Sequence, residues 1–367
     1  MTLEDIALVM TPGIGVKGAA HLIHFYGDAP SIFETTEQDL IENAELRPDL
    51  ARQIIRKTGF KSAEKELTYC RRHDIIPIAS TDEEYPPLLR ETNDFPHVLY
   101  VKGNLMPLKQ HCLSMVGTRH ATPYGQLMCN HLVEDLAHAI PDLVVVSGLA
   151  FGIDVASHRA ALASGVATVA VLPNPLPNVM PTQHSAVARD ILEHGGTLIT
   201  EEHSQTKQRG TSYLARNRII AGLSEGCIVV ESPEKGGSLS TARCADGYNR
   251  AVMAVPGRAN DSSSVGTNRL IRDRKAALVL SAEDIIRELM WDVNGQASIE
   301  EQISIEEQLS GSERELYNYI PESDAISTEE LLYRSEFDPG TMATLLVGLE
   351  LTGAIKQLPG NKYIRLK

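Results

Sequence analysis

Between Leu113 and Val255 the chain alternates short unbroken apolar runs with longer stretches in which apolar residues recur every three or four positions. The runs are Leu113 to Val116, Leu143 to Val146, Thr168 to Leu172, Thr197 to Thr200, Cys227 to Val230 and Ala251 to Val255. Each is short and apolar without alternation, which predicts a strand buried on both faces. The stretches between them, such as Tyr124 to Leu136, predict helices. Strand and helix in strict alternation build a parallel sheet covered by helices, so the predicted fold class is α/β.

The pattern changes on either side of this core. Residues 1 to 72 show only helical spacing: an apolar start at Leu3 to Met10, the turn Thr11-Pro12-Gly13-Ile14-Gly15, then Ala19, Leu22, Ile23, Phe25 and Tyr26. Helix, Pro-Gly-Ile-Gly turn and helix is the helix-hairpin-helix pattern, whose glycine amides can approach a nucleic-acid phosphate. The same turn can equally well do no more than join two packed helices. Residues 75 to 110 are proline-rich and predict one strand, His97 to Val101. Beyond Trp291 an acidic, glutamine-bearing stretch reads as a linker, 291 to 308. Three short helices follow, Ser312 to Ile320, Ser327 to Ser335 and Pro339 to Leu351, then a two-stranded ribbon, Ala354 to Leu358 and Tyr363 to Leu366. That order predicts a winged helix. Its third helix has no basic residue, so a protein-contact or regulatory role is expected there and not groove reading. The expected domains are thus 1–72 helical, 73–290 α/β, 291–308 linker and 309–367 winged helix.

The net charge of −14, taken alone, argues against a nucleic-acid partner. Its distribution weakens that objection. Residues 1–110 carry 12 basic and 17 acidic side chains, 111–290 carry 16 and 17, and 291–367 carry 6 and 14. The α/β region is close to neutral, and many of its arginines sit in turns. The longest apolar runs are too short to span a bilayer. Five cysteines lack CxxC spacing and an even count, and the start of the chain lacks a basic region followed by an apolar stretch, so reduced thiols and a cytoplasmic location are expected.

The candidate chemistry lies where strands give way to helices. Ser147-Gly148-Leu149-Ala150-Phe151-Gly152-Ile153-Asp154 follows a strand and opens a helix, a place where glycines admit a ligand and unpaired amides attract an anion. Asp154 as a simple helix cap, with glycines that only make the turn, is the plainer reading. Gly117 and Arg119 end the first core strand, and Arg119 should point into the same crevice. Arg216, Asn217 and Arg218 add two guanidinium forks suited to phosphate, or else an ion pair with Glu201 or Glu202. Gly236, Gly237, Ser238 and Thr241 form a second possible phosphate cradle.

Several chemistries drop out. The Gly236-Gly237-Ser238 turn lacks the Lys-Ser/Thr ending of a nucleotide-hydrolysing loop, and no turn matches GxGxxG, so neither ATP hydrolysis nor a dinucleotide cofactor is expected. The twelve histidines show no metal-ligand spacing, and no base accompanies the serines, so no metal and no catalytic residue is assigned.

The blocks VGTR at 116–119, SGLAFGID at 147–154, ARNRIIAGLS at 215–224, VVESPEKGGSLSTA at 229–242, VPG at 255–257 and SVGTNRLI at 264–271 resemble, in that order, the DprA/Smf family, the DNA-processing proteins of bacterial natural transformation. The resemblance implies an extended Rossmann-type core with an N-terminal helix-hairpin-helix/SAM-like domain and a C-terminal winged helix. It further implies a cofactor-free, homodimeric protein that binds and protects single-stranded DNA and loads RecA recombinase. Arg119, Arg216 and Arg218 would then contact phosphates, with Gly148, Gly152, Gly236 and Gly237 admitting the backbone. Where many relatives have a Tyr-Pro turn followed by lysine, this chain has Met180-Pro181-Thr182-Gln183-His184, so that charge is either missing or replaced by His184, and binding would be weaker or would lean on Arg189 or Lys207. The core is also similar to nucleoside-monophosphate phosphoribohydrolases. Their glutamate after the glycine turn is absent, however, the nearest acid being Asp246.

Overall fold

The computed structural model describes residues 1–207, 210–291, 309, 311–321, 325–335, 337–351, 354–358 and 361–365. Two compact units result, Met1–Trp291 and Asp292–Lys367. Apart from Trp291, the expected linker lies outside the described residues.

The first unit is built on nine strands: β1 Ile76–Ala79, β2 Val98–Gly103, β3 His111–Gly117, β4 Leu143–Ser147, β5 Ala167–Val171, β6 Thr197–Thr200, β7 Gly226–Glu231, β8 Ala251–Ala254 and β9 Ala277–Leu278. Their order across the sheet is β1-β2-β6-β5-β4-β3-β7-β8-β9. From β6 to β9 all neighbours are parallel. β2 runs antiparallel to β6, and β1 to β2. The chain leaves β3 toward β4, β5 and β6, then returns to the other side of β3 as β7. That reversal makes β3 and β7 a topological switch point, where open α/β sheets form a crevice beyond the strand ends.

Alternation along each strand divides the core. Leu113, Met115 and Val145 pack with Cys129, Leu132, Leu136 and Ala161 from helices Pro123–Ala139 and Ile153–Ala163. Val116, Val144 and Val146 face Ile219, Ile220, Ala242 and Ala245 from helices Ser212–Gly222 and Ser238–Gly247. Because both faces are covered, these strands contain almost no polar residues.

β1 is an addition to the single strand expected in the proline-rich region. It lies at the sheet edge with Ile76 exposed, where Pro77 is tolerated. The six N-terminal helices from Leu3 to Arg72 share a core with β2, β5 and β6 through Tyr100, Ala170 and Leu198. A buried chain of polar groups joins them to the sheet: Thr2 donates to Asp5, Asp5 meets His97 Nε2 at 3.0 Å, and His97 Nδ1 meets Ser80 Oγ at 2.7 Å. Burial opposes the Asp5 charge, but hydrogen bonds from His97 and Thr2 outweigh it and hold the carboxyl below its usual range.

The second unit has helices Gly311–Tyr319, Thr328–Arg334 and Pro339–Leu351, with strands β10 Ile326–Ser327, β11 Ile355–Leu358 and β12 Lys362–Arg365 in the order β10-β12-β11. Leu316, Leu331, Met342 and Leu349 form its core. This is the expected winged helix, with a third short strand closing the ribbon. Among the described residues no helix is long and apolar enough to cross a membrane. All five cysteines are free thiols, four of them buried.

Candidate functional site

A crevice of about 280 Å³ lies at the switch point beyond the ends of β3 and β7. Of the residues singled out in the sequence, Gly117, Arg119, Asp154, Arg216, Asn217, Gly236, Gly237, Ser238 and Thr241 line it. They arrive from four separate segments, and the local packing explains how. At Gly117 a Cβ would lie 2.4 Å from Ile153, so glycine alone lets helix Ile153–Ala163 close onto the strand end. At Gly152, with φ +76°, a Cβ would lie 2.1 Å from the Thr118 carbonyl oxygen. The backbones of the turns after β3 and β4 therefore touch, and Ile153 N–H donates to Thr118 O at 3.2 Å.

This reassigns three residues. Gly152, Gly148 and Ser147 support the crevice from behind and do not line it. A Cβ on Gly148 would lie 2.3 Å from the Arg216 guanidinium, and Ser147 Oγ donates to Met115 O at 2.6 Å. The space these glycines leave is filled by protein.

Arg216 and Arg218 separate. The Arg216 side chain lies in the crevice floor, 5% exposed, donating to Gly148 O at 2.7 Å and to Val171 O. Burial pulls its pKa down to about 10 against the attraction of Asp154. Burial likewise pushes the Asp154 carboxyl above its usual range, against Arg216, the Ala150 amide, Ser147 and Arg119. The floor is thus a mutually compensating pair of buried groups. Arg218 does not reach the crevice. Two residues further along the same helix it points elsewhere, pairing with Glu201 and, at 4.0 Å, with Asp94. Burial raises the Glu201 carboxyl while Arg218 opposes the rise. The expectation of a phosphate contact at Arg218 gives way to this ion pair.

The rim is different. Arg119 is exposed, its guanidinium 5.3 Å from the Tyr213 ring centroid, a cation–π distance. Among the described residues no carboxylate lies within ion-pair distance of Arg119 or of Lys235, the second exposed cation on the rim. Beside them begins helix Ser238–Gly247, whose Gly237 cap offers no side-chain hydrogen bond and whose missing Cβ would meet nothing within 4 Å. Asn217 Nδ2 donates to Gly237 O at 3.3 Å, and Ser238 Oγ donates to Ser232 Oγ at 3.0 Å, fixing this turn. Lys235 and Tyr213 were not assigned from sequence. Tyr213 precedes Arg216 by three residues on one helix, a spacing that puts both on one face.

The neighbouring helix Pro123–Ala139 is closed at its start. Glu231, the last residue of β7 and buried, accepts from Thr122 N at 2.8 Å and Thr122 Oγ1 at 2.7 Å.

None of the three substitutes named for the missing lysine lines the crevice. The His184 ring is buried, with Nδ1 2.7 Å from Leu149 O and its edge against Phe151 at 4.8 Å. Arg189 borders a separate cavity with Asn174 and Lys102. Lys207 is exposed.

Residues 77–290 match the family described as DNA recombination-mediator protein A, and residues 304–361 match the DprA winged helix domain. Protein Smf of Escherichia coli (strain K12) is 34% identical over 315 residues, covering 84% of this chain and 82% of that protein. DNA processing protein DprA of Bacillus subtilis (strain 168) is 35% identical over 70% of this chain and 84% of its own length. Among solved structures, DNA processing protein A of Streptococcus pneumoniae superposes with a TM-score of 0.69 at 30% identity, covering 78% of this chain and 98% of that one. The Helicobacter pylori protein, solved for its single-stranded DNA binding mode, gives 0.53 at 29% identity over 59% and 96%. With a switch-point crevice, a winged helix and matches that span both units, this chain belongs to the DNA recombination-mediator protein A family.

Proposed function

We propose that this protein binds single-stranded DNA along the crevice rim and acts in DNA processing and recombination. One observation carries the reading: Arg119 and Lys235 are exposed, have no carboxylate partner among the described residues, and flank a helix start without a side-chain cap. Such cations suit a polyanion whose phosphates are held without being transformed. Phe151, 43% exposed beside the crevice turn, supplies an aromatic ring of the kind on which unpaired bases stack. The H. pylori relative, solved for its single-stranded DNA binding mode, supports the same choice of ligand.

The proposal extends to two partners. The family resemblance suggests that the bound strand is passed to a RecA-type recombinase. Homodimerisation finds support at the open sheet edge, where Leu278 of β9 and Leu280 beyond it are 45% and 60% exposed.

Titration of a labelled oligothymidine tests the core of the reading. Arg119→Ala and Lys235→Ala should each weaken binding roughly tenfold at about 0.1 M salt and reduce the log K against log salt slope by about 0.7 per lost contact. Parental binding by both variants at several salt concentrations would remove the crevice as the DNA site. Release of free base from a nucleoside monophosphate in the same preparation would favour a phosphoribohydrolase instead.

A further inference from the structure

A second cleft of about 440 Å³ opens beside the crevice, between helix Ser238–Gly247 and helix Val265–Arg272. Lys235 and Gly236 line both spaces, so the two adjoin at that turn. Arg243, Arg269 and Lys275 complete a basic border, while Leu239 and Leu270 give it an apolar floor.

Charge sets this cleft apart from the rest of the chain. Residues 265–275 contain four basic side chains, Arg269, Arg272, Arg274 and Lys275, against one acid, Asp273, in a protein of net charge −14. The cleft's two acids are already engaged: Arg269 lies 3.7 Å from Glu234 and 3.6 Å from Asp273, and Arg272 lies 2.8 Å from Asp273. Lys235, Arg243 and Lys275 are exposed and have no carboxylate within ion-pair distance among the described residues. Unpaired cations around an apolar floor match a ligand that alternates phosphate with sugar and base better than a free inorganic anion.

We propose that this cleft is a second seat for the same DNA strand, taking nucleotides that overrun the crevice and leading the strand around Lys235 from Arg119 toward Arg243 and Lys275. This inference rests on the crevice being the first seat.

The test is a length series of oligothymidines titrated against the parent, Arg119→Ala, and the double variant Arg243→Gln/Lys275→Gln. Both double-variant positions are exposed, and equal urea midpoints would show the fold to be kept. At about 5 nucleotides, near the lower limit for one strand-binding site, the double variant should bind like the parent. At about 20 nucleotides it should bind tenfold or more weakly, with the salt slope lower by about 1.4 for two lost contacts. Equal losses at both lengths, or no loss at either, overturn the second seat. Arg119→Ala judges the crevice separately: if it binds like the parent while the double variant loses long strands, the crevice reading falls and the cleft stands as a DNA site.

Discussion

The floor and the rim of the crevice use the same kind of side chain in opposite ways. Arg216 on the floor is sealed against Gly148 O and Val171 O beside a buried carboxyl, whereas Arg119 on the rim lies over a tyrosine ring in contact with solvent. A guanidinium already committed to backbone carbonyls has little left to offer a ligand, and removing it strands the groups it satisfied. One on the rim can change partners at little cost to the fold. Position in the crevice, more than residue type, separates stability from binding.

The sharpest way to break that division is Arg216→Ala. It leaves Asp154 and two carbonyls uncompensated, so urea unfolding should show a loss of about 3–5 kcal/mol. A loss below about 1 kcal/mol would mean that the floor does not hold the crevice together.

Acid should act next, through His158 on the helix behind the floor. Thr168 Oγ1 gives its hydrogen to Val145 O at 2.7 Å and accepts from His158 Nδ1 at 2.7 Å, leaving His158 Nε2 buried without a partner. Burial, followed by Arg216 and His184, lowers its pKa to about 3 from an ordinary 6.5. The unfolded chain therefore binds the proton first. Stability from this group is complete above about pH 6.5 and is lost by about 1.4 kcal/mol per pH unit as pH falls toward 3. Urea midpoints at pH 7, 6 and 5 should decline less steeply in His158→Gln than in the parent. Parallel declines would contradict the buried neutral ring.

The smallest effect should be on the rim. Arg119→Ala and Lys235→Ala should unfold within about 0.5 kcal/mol of the parent while losing oligonucleotide affinity. A larger loss of stability would place them with the floor.

The sequence made the parallel centre of the sheet legible because strands covered on both faces must be apolar throughout. It gave no comparable warning of β1 and β9. β1 is interrupted by Pro77, and β9 pairs through only two residues of the apolar run Ala276 to Leu280, with Leu278 exposed. The crevice was legible because glycine turns and arginines fall where strands end. Which of the two helix arginines faces it was not, for a reason of spacing. Arg216 and Arg218 are two apart on a helix of 3.6 residues per turn, about 200° around the axis, so they cannot share a face. Tyr213 and Arg216 can, and both border the crevice. Gly148 and Gly152 misled differently, since close approach by the chain itself leaves the same trace in a sequence as close approach by a ligand.

Glu231 closes a helix start that the crevice does not use. A carboxylate fixed to Thr122 occupies the positive end of helix Pro123–Ala139, so that helix start already has its negative charge and keeps no place for an outside anion. The protein carries its own tethered competitor, one whose local concentration no change in ligand supply can dilute.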